Sequence, residues 1–90
     1  MDEQTVTVEF FGTARHLAGA ATWNACGRTI ADVLRSVERM CPRLQELITP
    51  AGTLSRRFLV SVDGQRFVDD LSESMPAGSR LLILGADAGG

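Results

Sequence analysis

The middle of this chain constrains its fold more than any other part. Ile30, Val33, Leu34, Val37 and Met40 recur at helical spacing and make one apolar stripe, with Asp32, Arg35, Glu38 and Arg39 on the other faces. Thr29 is placed to cap the helix, Asp32 follows three residues on in a near capping-box pattern, and Pro42 stops the helix near Cys41. One helix with one apolar stripe must bury that stripe against another element. The sequence on either side supplies strands.

Before the helix, Thr5 to Phe11 alternates, with Val6, Val8 and Phe10 on one side and Thr7, Glu9 and Phe11 on the other. Gly12 ends that strand, Thr13 to Ala18 makes a short helical turn closed by Gly19, and Ala20 to Cys26 reads as a second strand centred on Trp23. After the helix, Arg43 to Ile48 adds a helical turn that tucks Leu44, Leu47 and Ile48 inward, and Thr49 to Arg56 is a loop. Arg57 to Val62 is a third strand with Phe58, Val60 and Val62 on one side, and Asp63-Gly64 is a strong hairpin turn into a short return strand, Gln65 to Val68. Asp69 to Ser79 is a turn-rich connection. Arg80 to Leu84 is a final strand whose continuous apolar character predicts a central place in the sheet. The order predicts an α+β fold: a mixed four- to five-stranded sheet with one amphipathic helix packed on one face.

Ninety residues make one domain with a small core, and a net charge of −2 offers no basic stripe for nucleic acid. The acidic, polar start Met1-Asp2-Glu3-Gln4 does not read as a signal peptide, and the longest apolar run, Leu81 to Leu84, is too short to span a bilayer. Neither a membrane nor nucleic acid is therefore expected as a partner. Cys26 and Cys41 lack metal-ligand spacing and read as two buried free thiols, with a reducing, cytoplasmic location as the default.

The sequence closes on Gly85-Ala86-Asp87-Ala88-Gly89-Gly90. Such small residues have little surface to bury, so they build no core. They suit a thin arm that enters a narrow channel, and the reactive group it carries is the α-carboxylate of Gly90. The expected division is a folded domain over 1–84 and a flexible tail over 85–90. The extended reach from Leu84 to Gly90 is on the order of 20 Å.

Several segments together resemble one family. These are Val8-Glu9-Phe10-Phe11-Gly12 with Arg15-His16-Leu17-Ala18-Gly19, the helix entry Thr29-Ile30-Ala31-Asp32-Val33-Leu34, the hairpin Val62-Asp63-Gly64, and the ending Ala88-Gly89-Gly90. In this order they resemble the MoaD/ThiS sulfur carriers, which are ubiquitin-like β-grasp proteins, and the opening looks more like the MoaD branch. The resemblance implies that an E1-like (MoeB-like) enzyme adenylates the Gly90 carboxylate with ATP, and that sulfur transfer then makes it a thiocarboxylate. It implies a small subunit of molybdopterin synthase, non-catalytic itself. Gly85, Ala86, Asp87, Ala88 and Gly89 would lie in a channel of the MoaE-like large subunit, delivering sulfur to precursor Z. No bound cofactor and no metal are expected, ATP being used by the activating enzyme. Where the family commonly carries a Pro-Pro and an apolar residue, this tail has Gly85-Ala86-Asp87. Other readings of the same chain are a carrier for thiamin, cysteine or another sulfur metabolite, or a ubiquitin-like modifier or binding module.

The resemblance also implies a docking patch. In a β-grasp sheet the first and last strands are parallel neighbours and the third flanks the last antiparallel. Strand parity then puts Phe11, Leu59, Leu82 and Leu84 on the face away from the helix, at the edge where the tail emerges. The alternative is that the 43–57 loop folds over and buries them. His16 reads as a solvent-facing turn residue, Asp69, Asp70 and Glu73 as solvated or capping turn residues, and Trp23 as core or edge packing. Arg56, Arg57 and Arg80 read by default as solvated charges, although they could meet acidic groups near the tail.

Overall fold

The structure is a computed structural model that describes residues 4–76 and 78–86. Its elements are β1 (Thr5–Phe11), α1 (Gly12–Ala18), β2 (Thr22–Cys26), α2 (Ile30–Met40), a 3-10 turn (Pro42–Leu44), β3 (Phe58–Val62), β4 (Arg66–Phe67) and β5 (Arg80–Gly85). One five-stranded sheet has the order β2-β1-β5-β3-β4. β5 is central, as its apolar run predicts. It pairs parallel with β1 and antiparallel with β3. The architecture is the α+β arrangement expected, with α2 packed on one face.

Alternation sets the core. Val6, Val8, Phe10, Phe58, Val60, Val62, Leu81 and Ile83 point toward α2 and are all buried. Ile30, Val33, Leu34 and Val37 meet them from the helix side, also buried. The stripe departs from expectation at its end, where Met40 is 48% exposed. The next residue on the buried face after Val37 is one full turn further, and Cys41 takes it. Its thiol donates to the Leu17 carbonyl at 3.5 Å. Cys26, expected to be buried, is only half-buried, because it falls opposite Thr5 on the face away from the helix. Both thiols are free. Trp23 lies opposite Val8 on the core face and meets the Phe10 ring edge-on, centroids 5.1 Å apart.

The ends of α2 are closed by two different devices. Thr29 accepts from the Asp32 backbone at 3.1 Å, and Asp32 reaches back to the Thr29 N–H, so the capping box forms. The amides of Ile30 and Ala31 donate to the carbonyls of Glu73 and Leu71 at 2.9 and 2.8 Å. The 69–79 connection therefore satisfies helix amides that would otherwise be orphaned. It is anchored by Leu71 and Met75, which are buried. The loop after the helix packs Leu44 and Leu47 into the core, while Glu38 accepts from the Ile48 N–H at 3.0 Å. This loop does not close over the far face of the sheet. Phe11 and Leu59 each remain 40% exposed.

Several boundaries shift. α1 begins at Gly12 and runs as an α-helix to Ala18, closed by Gly19. β2 starts at Thr22 rather than Ala20, and β4 holds only Arg66 and Phe67. Asp63 and Gly64 both have positive φ, 57° and 71°, and the Gln65 N–H returns to the Val62 carbonyl at 3.0 Å. That is the two-residue turn expected. β3 nevertheless pairs Val62 with Arg66, so one extra residue sits on the return side.

Candidate functional site

Register lays out the face of the sheet away from α2 in rows. Phe11, Leu84 and Leu59 are successive partners across β1, β5 and β3. The next row reads Thr22, Glu9, Leu82, Ser61 and Phe67, and the one after it Asn24, Thr7 and Arg80. The face thus turns from polar to apolar toward the end of β5. The four residues expected to form a patch are brought together, with Leu82 and Leu84 half-buried between Phe11 and Leu59.

Phe67, which sequence reasoning did not place, extends the patch and is 65% exposed. A return strand of two residues is too short to show alternation. The neighbour Val68 donates its amide to the Val60 carbonyl and has a buried side chain, leaving Phe67 to face the other way.

The charges around this face are unevenly used. Arg80 pairs with Glu9 at 3.0 Å, its backbone N–H donates to the Asp63 carboxylate at 2.8 Å, and its carbonyl accepts from the Asp63 N–H at 2.9 Å, which ties the hairpin to β5. Arg66 pairs with Glu73 at 2.7 Å, and this hydrogen-bonded carboxylate raises the Arg66 pKa further above its ordinary value. Hydrogen bonds from Ser72 hold the Asp70 carboxyl below the usual aspartate range. Arg56 and Arg57 are exposed at the other end of the sheet, and neither has a carboxylate partner among the described residues. The Arg57 guanidinium lies 5.7 Å from the centre of the Phe58 ring. A shallow depression of about 340 Å³ there is lined by Thr13, Arg56, Arg57, Phe58 and Ala86.

The root of the tail is more tightly held than the sequence suggests. β5 runs one residue past Leu84, Gly85 is buried opposite Phe58, and the Ala86 N–H donates to the Arg57 carbonyl at 2.8 Å. Of the residues read from sequence as the start of a flexible tail, Gly85 belongs to the sheet because Phe58 in β3 offers it a ladder partner, and Ala86 is tied to Arg57 just before β3. Asp87, Ala88, Gly89 and Gly90 lie outside the described residues. A mixed sheet in this order, crossed by one capped helix and leading into a Gly-Gly sequence, matches solved structures over nearly its whole length. The small archaeal modifier protein 1 (SAMP1) from Methanosarcina acetivorans is similar with a TM-score of 0.78 and 22% identity, covering 100% of both chains.

The chain has a ubiquitin-like β-grasp fold.

This β-grasp fold is shared with two further neighbours. CysO in the Amycolatopsis orientalis BexX/CysO complex has a TM-score of 0.74 and 26% identity over 94% of this chain and 99% of that one. A Pyrococcus furiosus protein assigned as molybdopterin converting factor subunit 1 has a TM-score of 0.73 and 18% identity over 91% of this chain and 97% of that one. These neighbours have the fold implied by the resemblance to the MoaD/ThiS carriers. No protein-family model and no curated protein matches the sequence.

The remaining candidates of the β-grasp chain are not drawn together. His16 is exposed in the last turn of α1. Asp70 caps the Ser72 turn, and Glu73 is engaged by Arg66. Among the described residues no group of three or more His, Cys, Asp or Glu is arranged to hold a metal, and no helix is long and apolar enough to cross a membrane.

Proposed function

We propose that this β-grasp protein is a sulfur carrier whose Gly90 carboxylate is the reacting group. The observation that carries the reading is the convergence at the end of β5. The central strand delivers the chain toward Gly89-Gly90 beside the apolar row Phe11, Leu84 and Leu59. A carboxylate is a poor electrophile, so an E1-like, MoeB-like enzyme first joins it to AMP from ATP, releasing pyrophosphate. A sulfur nucleophile then attacks the carbonyl, AMP leaves, and a thiocarboxylate remains. The chain supplies a carbonyl unshielded by any Cβ and a patch that docks the partner. Four residues follow Ala86, so a fully extended tail projects at most about 14 Å beyond the sheet.

The recipient we favour is molybdopterin biosynthesis, with this chain as the small subunit of a synthase whose MoaE-like large subunit takes the tail. The likeness to the Pyrococcus furiosus protein and the MoaD-like opening support it. Likeness to CysO and to SAMP1 favours a second reading, a carrier for another sulfur metabolite or a protein modifier. Co-expression with the E1-like enzyme tests the carrier chemistry. Intact mass should rise by the difference between sulfur and oxygen, and deletion of Gly90 should abolish that form without changing the Tm. Loading that survives the deletion refutes the reading. Conversion of precursor Z by the loaded protein with the large subunit supports the molybdopterin assignment. Isopeptide-linked lysine adducts instead support the modifier.

A further inference from the structure

The three arginines near this face have different fates. Arg80 is neutralised by Glu9 at 3.0 Å within its own sheet face. Arg56 and Arg57, adjacent in sequence and both exposed, meet no carboxylate among the described residues. Their placement is fixed by the fold. The Arg57 carbonyl accepts from Ala86, its guanidinium rests over the buried Phe58 ring at 5.7 Å, and both arginines line the depression of about 340 Å³ with Thr13, Phe58 and Ala86. The hollow has room for one or two side chains. It lies at the same end of the sheet as the apolar row, since the Ala86–Arg57 bond follows the Leu84–Leu59 and Gly85–Phe58 pairs along β5 and β3. A net charge of −2 means that these cations stand against the sign of the whole molecule.

We propose that Arg56 and Arg57 form a cationic shelf at the tail root that takes carboxylate side chains of the partner protein, beside the channel receiving Gly90. This rests on the carrier reading above. The occupant is an acidic protein surface, because the apolar row alongside has to be covered in the same encounter, and a nucleic acid presents no apolar ridge to cover it. Charges at the rim of an interface act mainly on encounter rate and salt dependence, so the shelf selects the partner and orients the tail before the apolar row closes. Arg57 rests over the Phe58 ring, with no carboxylate beside it among the described residues.

The test uses the full chain and the E1-like enzyme, in ATP–pyrophosphate exchange at several salt concentrations. Arg56→Glu with Arg57→Glu is expected to raise KM for the carrier at least tenfold at low salt while kcat stays within about twofold, with the gap between wild type and variant closing as salt rises. Arg56→Lys with Arg57→Lys is expected to recover most of the affinity, because the shelf needs positive charge. The Tm of each variant is measured alongside. If the charge-reversed variant keeps the wild-type KM and salt dependence, or if the lysine variant is as weak as the glutamate one, the shelf is refuted and the carrier reading stands. If wild type gives no exchange at all, the carrier reading fails and the shelf fails with it. Binding of a single-stranded DNA oligomer that the charge reversal abolishes would overturn the acidic-protein assignment.

Discussion

At the scale of single residues, several side chains do work that their local sequence does not advertise. Gly27 is one. A Cβ there would lie 2.7 Å from the Val33 nitrogen and 2.8 Å from the Asp32 Cβ, so the start of α2 and the end of β2 approach too closely for any other residue. Gly27→Ala is expected to destabilise by about 1–3 kcal/mol, read as a lowered urea midpoint at unchanged m-value. Asp70 is another. Its carboxyl is stabilised in the charged form by the Ser72 hydroxyl and amide, so its folded pKa lies below the unfolded one. The sign follows directly. The contribution is complete above the ordinary aspartate pKa and is lost as pH falls through the lowered folded value. Ser72→Ala should move the Asp70 titration, followed by carboxyl-carbon NMR, back up toward that ordinary range. Phe67 teaches a different lesson. Its burial state was illegible because two strand residues carry no readable period, whereas Phe11, Leu59, Leu82 and Leu84 were placed correctly by parity on longer strands.

At the scale of elements, the stretches that the sequence describes well are those whose signals are local. The α2 cap is such a case, since Thr29 and Asp32 answer each other within one turn. Thr29→Ala should cost about 1 kcal/mol in chemical denaturation, with Thr29→Ser recovering most of it. The Asp63-Gly64 turn is similarly local. What escaped was long-range. The carbonyls of Leu71 and Glu73 receive the first amides of α2, and only tertiary structure brings residues some forty positions apart into that bond. The same holds for the end of β5. Gly85 and Ala86 look like tail in composition, yet β3 pairs with the first and its neighbour Arg57 with the second. Met40 leaves the stripe for a geometric reason, because the buried face recurs after a full turn and Cys41, buried as expected, occupies it.

At the scale of the whole molecule, the sheet has two faces with separate duties. One is sealed by α2 and the flanking loops, and the other carries the apolar row at one end and paired charges at the other. Replacing Phe11 and Phe67 with Ser should therefore leave stability within about 0.5 kcal/mol, because both are exposed, while weakening partner capture at least tenfold. Thermal melts and a pull-down with the activating enzyme check the two halves of that statement. The bond from the Ala86 N–H to the Arg57 carbonyl has a consequence for any such partner. It acts as the zero mark of a ruler. On the proposed carrier reading, whatever lies within about 14 Å of that mark is within reach of Gly90 with the sheet intact. A deeper catalytic centre would have to unzip the last rung of the ladder, at a cost of about 1 kcal/mol, before the Gly90 carboxylate arrived. A carrier built on this fold would then grade its clients by depth, favouring shallow receptacles over deep ones before any side chain has been compared.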